Sequence, residues 1–378
     1  MNILFIVHES SRTGAPLALL SLLKKMKVDI PHFSSTVLMM EDGPMVNDFR
    51  ALGEVIVPRI KPWNLRDLFS PNGYRDRFMI RCLLLLFKNR HFNLIYANSV
   101  MSLDCAIVLK QNLGVPVLLH FHESSINLCY IHVSQTNIKQ CDHYIAVSQK
   151  AHDTLVLLGA KEDKIHVVYP TSEFVGRLME CGDEMRVDNG KNCNSKFTIG
   201  FVGSLIERKG ADMLPIVAKK LIDKYPECDF EILIVGNNHE RGRKSLDYDS
   251  KRLGVIDKFR FVESKINPIP EYKEMDMLLM LSREESFSLV VLELGLLGRP
   301  SVLFEGSCGI QHFIQNNVNS ILVPYLDTDA VVDALYRLYT DRDMCFRLGQ
   351  QLKDVLTDYY TTVNTNDEII RLLMTFTK

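Results

Sequence analysis

The chain lacks most of the local patterns that would announce a metal, a membrane or a nucleic acid. Its nine cysteines (82, 105, 129, 141, 181, 193, 228, 308 and 345) form no C-x-x-C pair. Their odd number and scatter fit free thiols in a reducing cytoplasm better than a disulfide framework. Charge is nearly balanced, at a formal −2, which argues against a general nucleic-acid binder. No apolar run reaches the roughly 18 residues that a membrane span needs. Met1–His8 has no basic leader and no small-residue cleavage pattern, and reads as a first strand rather than a signal peptide. The nucleotide signatures G-x-x-x-x-G-K-[ST] and G-x-G-x-x-G are both missing. So is H-E-x-x-H, because His122-Glu123 has no second histidine at the right distance.

What is present is a long alternation of short apolar runs and helical stretches. The runs Ile3–Val7, Thr36–Met40, Glu54–Val57, Leu94–Ala97, Val115–Leu119, His143–Val147 and Ile165–Val168 are predicted strands of a parallel sheet with helices between them. Residues 180–195 turn polar, and the alternation restarts with Phe197–Val202, Phe230–Val235, Arg260–Val262, Met277–Leu281, Ser301–Phe304 and Ser320–Val323. At 378 residues the chain is too long for one core. The expected division is therefore an α/β domain over 1–190, a second over 191–355, and a final helix in 356–378 able to pack back on the first.

Candidate chemistry gathers at the strand exits. Gly200-Phe201-Val202-Gly203-Ser204-Leu205-Ile206-Glu207-Arg208-Lys209-Gly210 is a glycine turn between strand and helix, with Asp212 a candidate helix cap. Its amides and cations could seat a diphosphate, or it could be an ordinary surface turn. Glu285 and Glu293 lie eight residues apart around Ser286, Phe287, Ser288 and Leu289. If all helical they would stand about 12 Å apart, too far for a glycosidase pair. Two readings stay open: both glutamates grip one extended ligand, or one is a helix-start carboxylate and the other an internal ion-pair partner. His120-Phe121-His122 ends a strand, and Gly14 sits in a small-residue loop after the first. Asp327 or Asp329 reads as a helix cap, and Asp247-Tyr248-Asp249 as part of a solvated segment. Lys61–Arg66 and Arg75–Arg90 mix cations with aromatic and leucine residues. That mixture fits a core helix with snorkelling ends, or a peripheral surface touching anionic lipid.

Together these elements resemble the retaining nucleotide-sugar glycosyltransferases with an E-x7-E signature, the glycosyltransferase family 4-like group. Glu285-Ser286-Phe287-Ser288-Leu289-Val290-Val291-Leu292-Glu293 carries the resemblance, with Gly298-Arg299-Pro300, Lys209-Gly210 and His122 in support. It implies a GT-B fold, two Rossmann-like parallel-sheet domains facing across a cleft. It also implies that Glu285 lies against the transferred sugar and Glu293 contacts a donor hydroxyl. Lys209, with Arg208 and the amides of Ser286–Leu289, would receive the diphosphate. Gly203 and Ser204 would belong to that phosphate loop, where the family often has arginine at the position of Ser204. His122 and Gly14 would line the sugar and acceptor side. Val262 to Ile266, with Gly236-Asn237-Asn238, would surround the base. Other departures are Thr171-Ser172 at the domain junction and Ser288 where glycine is frequent.

The implied partners are a nucleoside diphosphate sugar donor and a glycan or lipid-linked glycan acceptor, with no prosthetic group, no essential metal and no nucleic acid. The implied place is the cytoplasm, with a peripheral position at the inner face of the plasma membrane as its variant. A nucleotide-sugar epimerase of the same architecture and a noncatalytic glycan-binding subunit are the alternative readings.

Overall fold

The computed structural model describes residues 1–11, 14–58, 74–130, 134–172, 174–184, 196–236 and 240–377. They form two compact units, Met1–Thr171 with Asn364–Lys378, and Ser172–Val363.

The first unit carries a seven-stranded sheet of β1 (Asn2–Val7), β2 (Ser34–Met39), β3 (Glu54–Ile56), β4 (Leu94–Ala97), β5 (Val117–Phe121), β6 (His143–Ala146) and β7 (Ile165–Val167). The spatial order is β3-β2-β1-β4-β5-β6-β7, and every pairing is parallel. The central strands are apolar along their whole length because helices cover both faces. Ile3, Phe5 and Val7 pack with Leu19, Leu23 and Tyr96 in one core. Strand order reverses between β1 and β4, so the chain leaves their carboxyl ends in opposite directions and opens a crevice there.

The second unit repeats the plan with β8 (Phe197–Val202), β9 (Phe230–Gly236), β10 (Phe259–Glu263), β11 (Met277–Met280), β12 (Ser301–Phe304) and β13 (Ile321–Val323), in the order β10-β9-β8-β11-β12-β13. Its reversal lies between β8 and β11. The GT-B fold, with two Rossmann-like parallel-sheet units, is what the chain adopts.

The unit boundaries differ from 190 and 356. The first unit ends at Thr171, because the helix Val175–Glu184 packs on the helix Leu289–Leu296 of the second. Most of the polar stretch that suggested the boundary, 185–195, lies outside the described residues. At the other end, the helix Arg342–Thr362 stays with the second unit. Gly295 admits it: a Cβ there would come within 2.5 Å of Leu356. The return to the first unit begins at Asn364, which caps the helix Thr365–Phe376 by accepting from the Asp367 amide. Ile369, Ile370 and Leu373 then enter the first core, and Thr365 donates its hydroxyl to the Tyr169 carbonyl at 2.9 Å.

Asp327 caps Thr328–Thr340 by accepting from the Asp329 and Ala330 amides. Asp247 faces Arg243 on the solvated helix Glu240–Arg252. Lys61–Arg66 lies outside the described residues. In the helix Tyr74–Phe87 that follows, Leu83 and Phe87 are buried and Leu85 is exposed. No described helix is long and apolar enough to cross a membrane.

Candidate active site

The exits of β8 and β11 build the polar centre of the second unit. After β8 the chain turns through Gly203 and Ser204 into a single helical turn, Glu207–Lys209, and then Gly210. Gly210 has φ +77°, and a Cβ on it would meet the Leu281 carbonyl oxygen at 2.1 Å. Only glycine allows this turn to lie against the end of β11. Gly203 has φ +138°, a backbone conformation that favours glycine, and lies alongside the Lys209 side chain.

After β11 the chain stays extended. The Glu285 amide donates to the Ser307 carbonyl at 2.8 Å, and the Glu285 carbonyl accepts from the Gly309 amide at 3.2 Å. The helix starts only at Leu289, so the all-helical spacing of the two glutamates does not apply. Pairing with the exit of β12 holds Glu285 in strand-like geometry instead. Its carboxylate meets Lys209 Nζ at 2.5 Å and Arg208 at 3.1 Å, and accepts from Ser282 Oγ at 3.2 Å. A largely buried carboxylate survives there because two cations and a hydroxyl replace its water.

Glu293 has a different setting. It sits within the buried helix Leu289–Leu296 and accepts from the Tyr272 hydroxyl at 3.1 Å. Burial, and then the Glu293 charge, push the Tyr272 phenol well above its ordinary range. Ser288 caps the helix by accepting from the Val291 amide, and Phe287 is buried beside it. A small recess lined by Val202, Lys209, Ser282, Ser288 and Val290 opens between the two exits. Leu289 and Ser286 flank it in sequence, and Ser204 stays half-buried in the β8 turn. Val262 does not line it: it pairs with Val235 on the edge strand β10, with β9 between it and β8. Asn237 and Asn238 lie outside the described residues.

Asp212 does not cap the following helix, which begins at Leu214 after Met213 with no side-chain cap. Its carboxylate instead accepts two bonds from Arg283, at 3.0 and 2.8 Å.

In the first unit the corresponding strand exits bring a second polar group together. His122 follows β5, with its ring 4.0 Å from His120 between centroids. The Tyr96 hydroxyl meets His120 Nδ1 at 2.5 Å. Past β1, His8 Nδ1 meets Ser99 Oγ at 2.7 Å. Glu123 accepts from the Val100 amide at 2.8 Å and the His122 amide at 3.0 Å, joining the ends of β4 and β5. Burial pushes the His122 imidazole down to about 3, with His8 adding to the shift. Burial also holds His120 well below its usual range, and lifts the Glu123 carboxyl to about 7. Gly14 opens the helix Gly14–Asp29, with open space where a Cβ would be.

Motif reading missed His8, Tyr96, Ser99, Glu123, Tyr272, Ser282 and Arg283 as members of these groups. His8, Ser99, Glu123, Ser282 and Arg283 lie just past the carboxyl end of a strand, Tyr96 lies in β4 and Tyr272 on the helix Ile269–Glu274, and only the strand order and packing bring them to these groups.

Two family models divide the chain: one described as Glycosyltransferase Family 4 matches residues 36–171, and one described as Glycosyl transferases group 1 matches residues 196–341. The chain belongs to the GT4-like glycosyltransferases of GT-B type. This GT-B chain is 31% identical over 220 residues to a D-inositol 3-phosphate glycosyltransferase of Corynebacterium urealyticum, covering 55% of the chain and 50% of that relative. It thus spans about half the length of that protein. It is 28% identical over 316 residues to an uncharacterized 41.2 kDa protein in the cps region of Klebsiella pneumoniae, covering 80% of the chain and 78% of the relative. Among solved structures it is similar to HepE of Anabaena in complex with UDP, with a TM-score of 0.77 and 18% identity over 99% of this chain and 100% of that one. The UDP-glucose complex of the same protein gives a TM-score of 0.76. At such identity the likeness establishes the fold.

Proposed function

We propose that this glycosyltransferase moves a hexosyl group from a nucleoside diphosphate sugar to an acceptor hydroxyl, with retention of anomeric configuration. The observation that carries the reading is the convergence of Arg208, Lys209 and Ser282 on Glu285 beside the β8–β11 reversal. The UDP and UDP-glucose bound by HepE support a nucleotide-sugar donor. The cps-region relative supports a role in polysaccharide or glycolipid synthesis, on a glycan or lipid-linked glycan acceptor. Cys82, Cys105, Cys129, Cys141, Cys228, Cys308 and Cys345 are free thiols, in keeping with a cytoplasmic site of action.

In this mechanism the bond between the anomeric carbon and the diphosphate oxygen breaks while the acceptor oxygen attacks from the same face. The acceptor proton passes to the departing phosphate. Lys209, Arg208 and the amides before Leu289 meet the charge that grows on the leaving group. Glu285, already engaged by two cations, orients sugar hydroxyls rather than attacking carbon. Glu293 accepts from a donor hydroxyl, and His122 with Gly14 lines the acceptor side. Val262, near the end of β10, begins the segment to Ile266 that surrounds the base in this reading.

The test is a screen of nucleoside diphosphate sugars with product linkage read by NMR. Retained configuration is expected, and an inverted linkage would refute the stereochemical step. Glu285→Ala should lower transfer about 100-fold or more, the scale of losing one preorganised electrostatic group. Unchanged turnover would remove Glu285 from the mechanism.

A further inference from the structure

Between β8 and β11 two arginines exchange places across adjacent loops. Arg208, on the β8 loop, donates to the Glu284 carbonyl at 3.1 Å and to Glu285. Arg283, on the β11 loop, reaches the other way. Its amide donates to the Arg208 carbonyl at 2.8 Å, its guanidinium to the Glu207 carbonyl, and both ends of the fork to Asp212. The turn that presents Lys209 is therefore gripped by one residue on both sides, at the carbonyls of Glu207 and Arg208 before it and at Asp212 after it. Arg283 itself does not contact Glu285 through any of these bonds, and its side chain is largely covered.

We infer that Arg283 is a positioning residue that sets Lys209 in place for the diphosphate, acting through its grip on the Glu207–Asp212 turn. The inference rests on the donor reading above and goes beyond it: it assigns the reach of Lys209 to a residue outside the E-x7-E segment. The geometry favours arginine specifically. A planar fork satisfies the Asp212 carboxylate with two parallel bonds while one nitrogen still reaches the Glu207 carbonyl. A lysine ammonium can hold one of these points firmly, not all.

The test is a double-mutant cycle of Arg283→Gln and Lys209→Ala, read in kcat and, separately, in UDP affinity by calorimetry. Arg283→Gln alone should lower kcat about 100-fold, as expected when a charged group is displaced by about 1 Å. In the Lys209→Ala background the same change should alter kcat less than about 3-fold, because the group it positions is gone. Arg283→Lys, which keeps the charge and spares the fold, should fall between wild type and Arg283→Gln. Equal fold-losses in both backgrounds would overturn the inference, since a merely structural arginine costs the same with or without Lys209. A wild-type kcat retained by Arg283→Gln would overturn it as well. Coupled UDP binding in a protein that transfers no sugar would refute the transfer reading and leave the positioning role standing.

Discussion

Glu123 shows how burial rather than sequence sets the behaviour of a carboxyl. Its two amide bonds to Val100 and His122 do not offset desolvation, and its acidity falls to about 7. An unfolded chain would ionise it near 4.5. The folded chain thus holds an extra proton between those values. That contribution to stability is complete below about pH 4.5 and is lost as pH rises through about 7, roughly 3 kcal/mol in all. Glu123→Gln cannot ionise, so its stability relative to wild type should improve by most of that amount between pH 5 and 8. Denaturant unfolding at the two pH values measures the difference, and a constant offset would mean the carboxylate is charged throughout. The lowered imidazoles of His8, His120 and His122 act in the opposite sense, losing stability as pH falls below about 6.5, but they are common to both proteins and cancel. At Gly210 the constraint is steric. Gly210→Ala should cost about 2 kcal/mol through its left-handed backbone and the contact with the Leu281 carbonyl. The same unfolding assay would detect it, with sugar transfer falling in parallel. His122, Lys209 and the glutamates were readable as residue types at strand exits. Tyr272 was not, because nothing local says that a tyrosine after β10 reaches a glutamate twenty-one positions on.

Elements show where local pattern suffices. The strands run in parallel with both faces covered, so their apolar runs mark them almost directly. The helix Leu289–Leu296 is apolar nearly all round and buried, which leaves Glu293 as its one charged member. The start of this helix was the harder boundary. Ser286 to Ser288 could have extended it backward, but the pairing of Glu285 with Ser307 and Gly309 keeps the segment extended until Ser288 caps it. Asp212 and Asp327 both precede helices, yet only Asp327 caps one, because Arg283 draws Asp212 aside. Asp327→Ala should therefore cost about 1 kcal/mol of stability, the usual loss for an N-cap, and leave kcat unchanged. Thermal unfolding beside a transfer assay would separate this from Asp212→Ala, which should reduce kcat by loosening the Lys209 turn.

For the molecule as a whole, the chain's last segment belongs to its first unit. Removing residues 364–378 strips Ile369, Ile370 and Leu373 from that core, together with the Thr365 bond to Tyr169. At about 1.5–3 kcal/mol for each buried aliphatic side chain, the loss should be roughly 5 kcal/mol or more. Calorimetry should show an early transition for the first unit while that of Ser172–Val363 stays near its original temperature, and a single shifted transition would contradict the division. The amino-acid order by itself determined the alternation of strands and helices, the parallel class of both sheets and the stretch that holds the two glutamates. Those features depend on periodicity and composition over ten or so neighbouring residues. Strand order, the join after Thr171, the pairing of Glu285 with Lys209 and the grouping of His8, Tyr96, Glu123 and His122 were decided only in three dimensions. Each depends on which distant segments pack together, and no single stretch of chain carries that information.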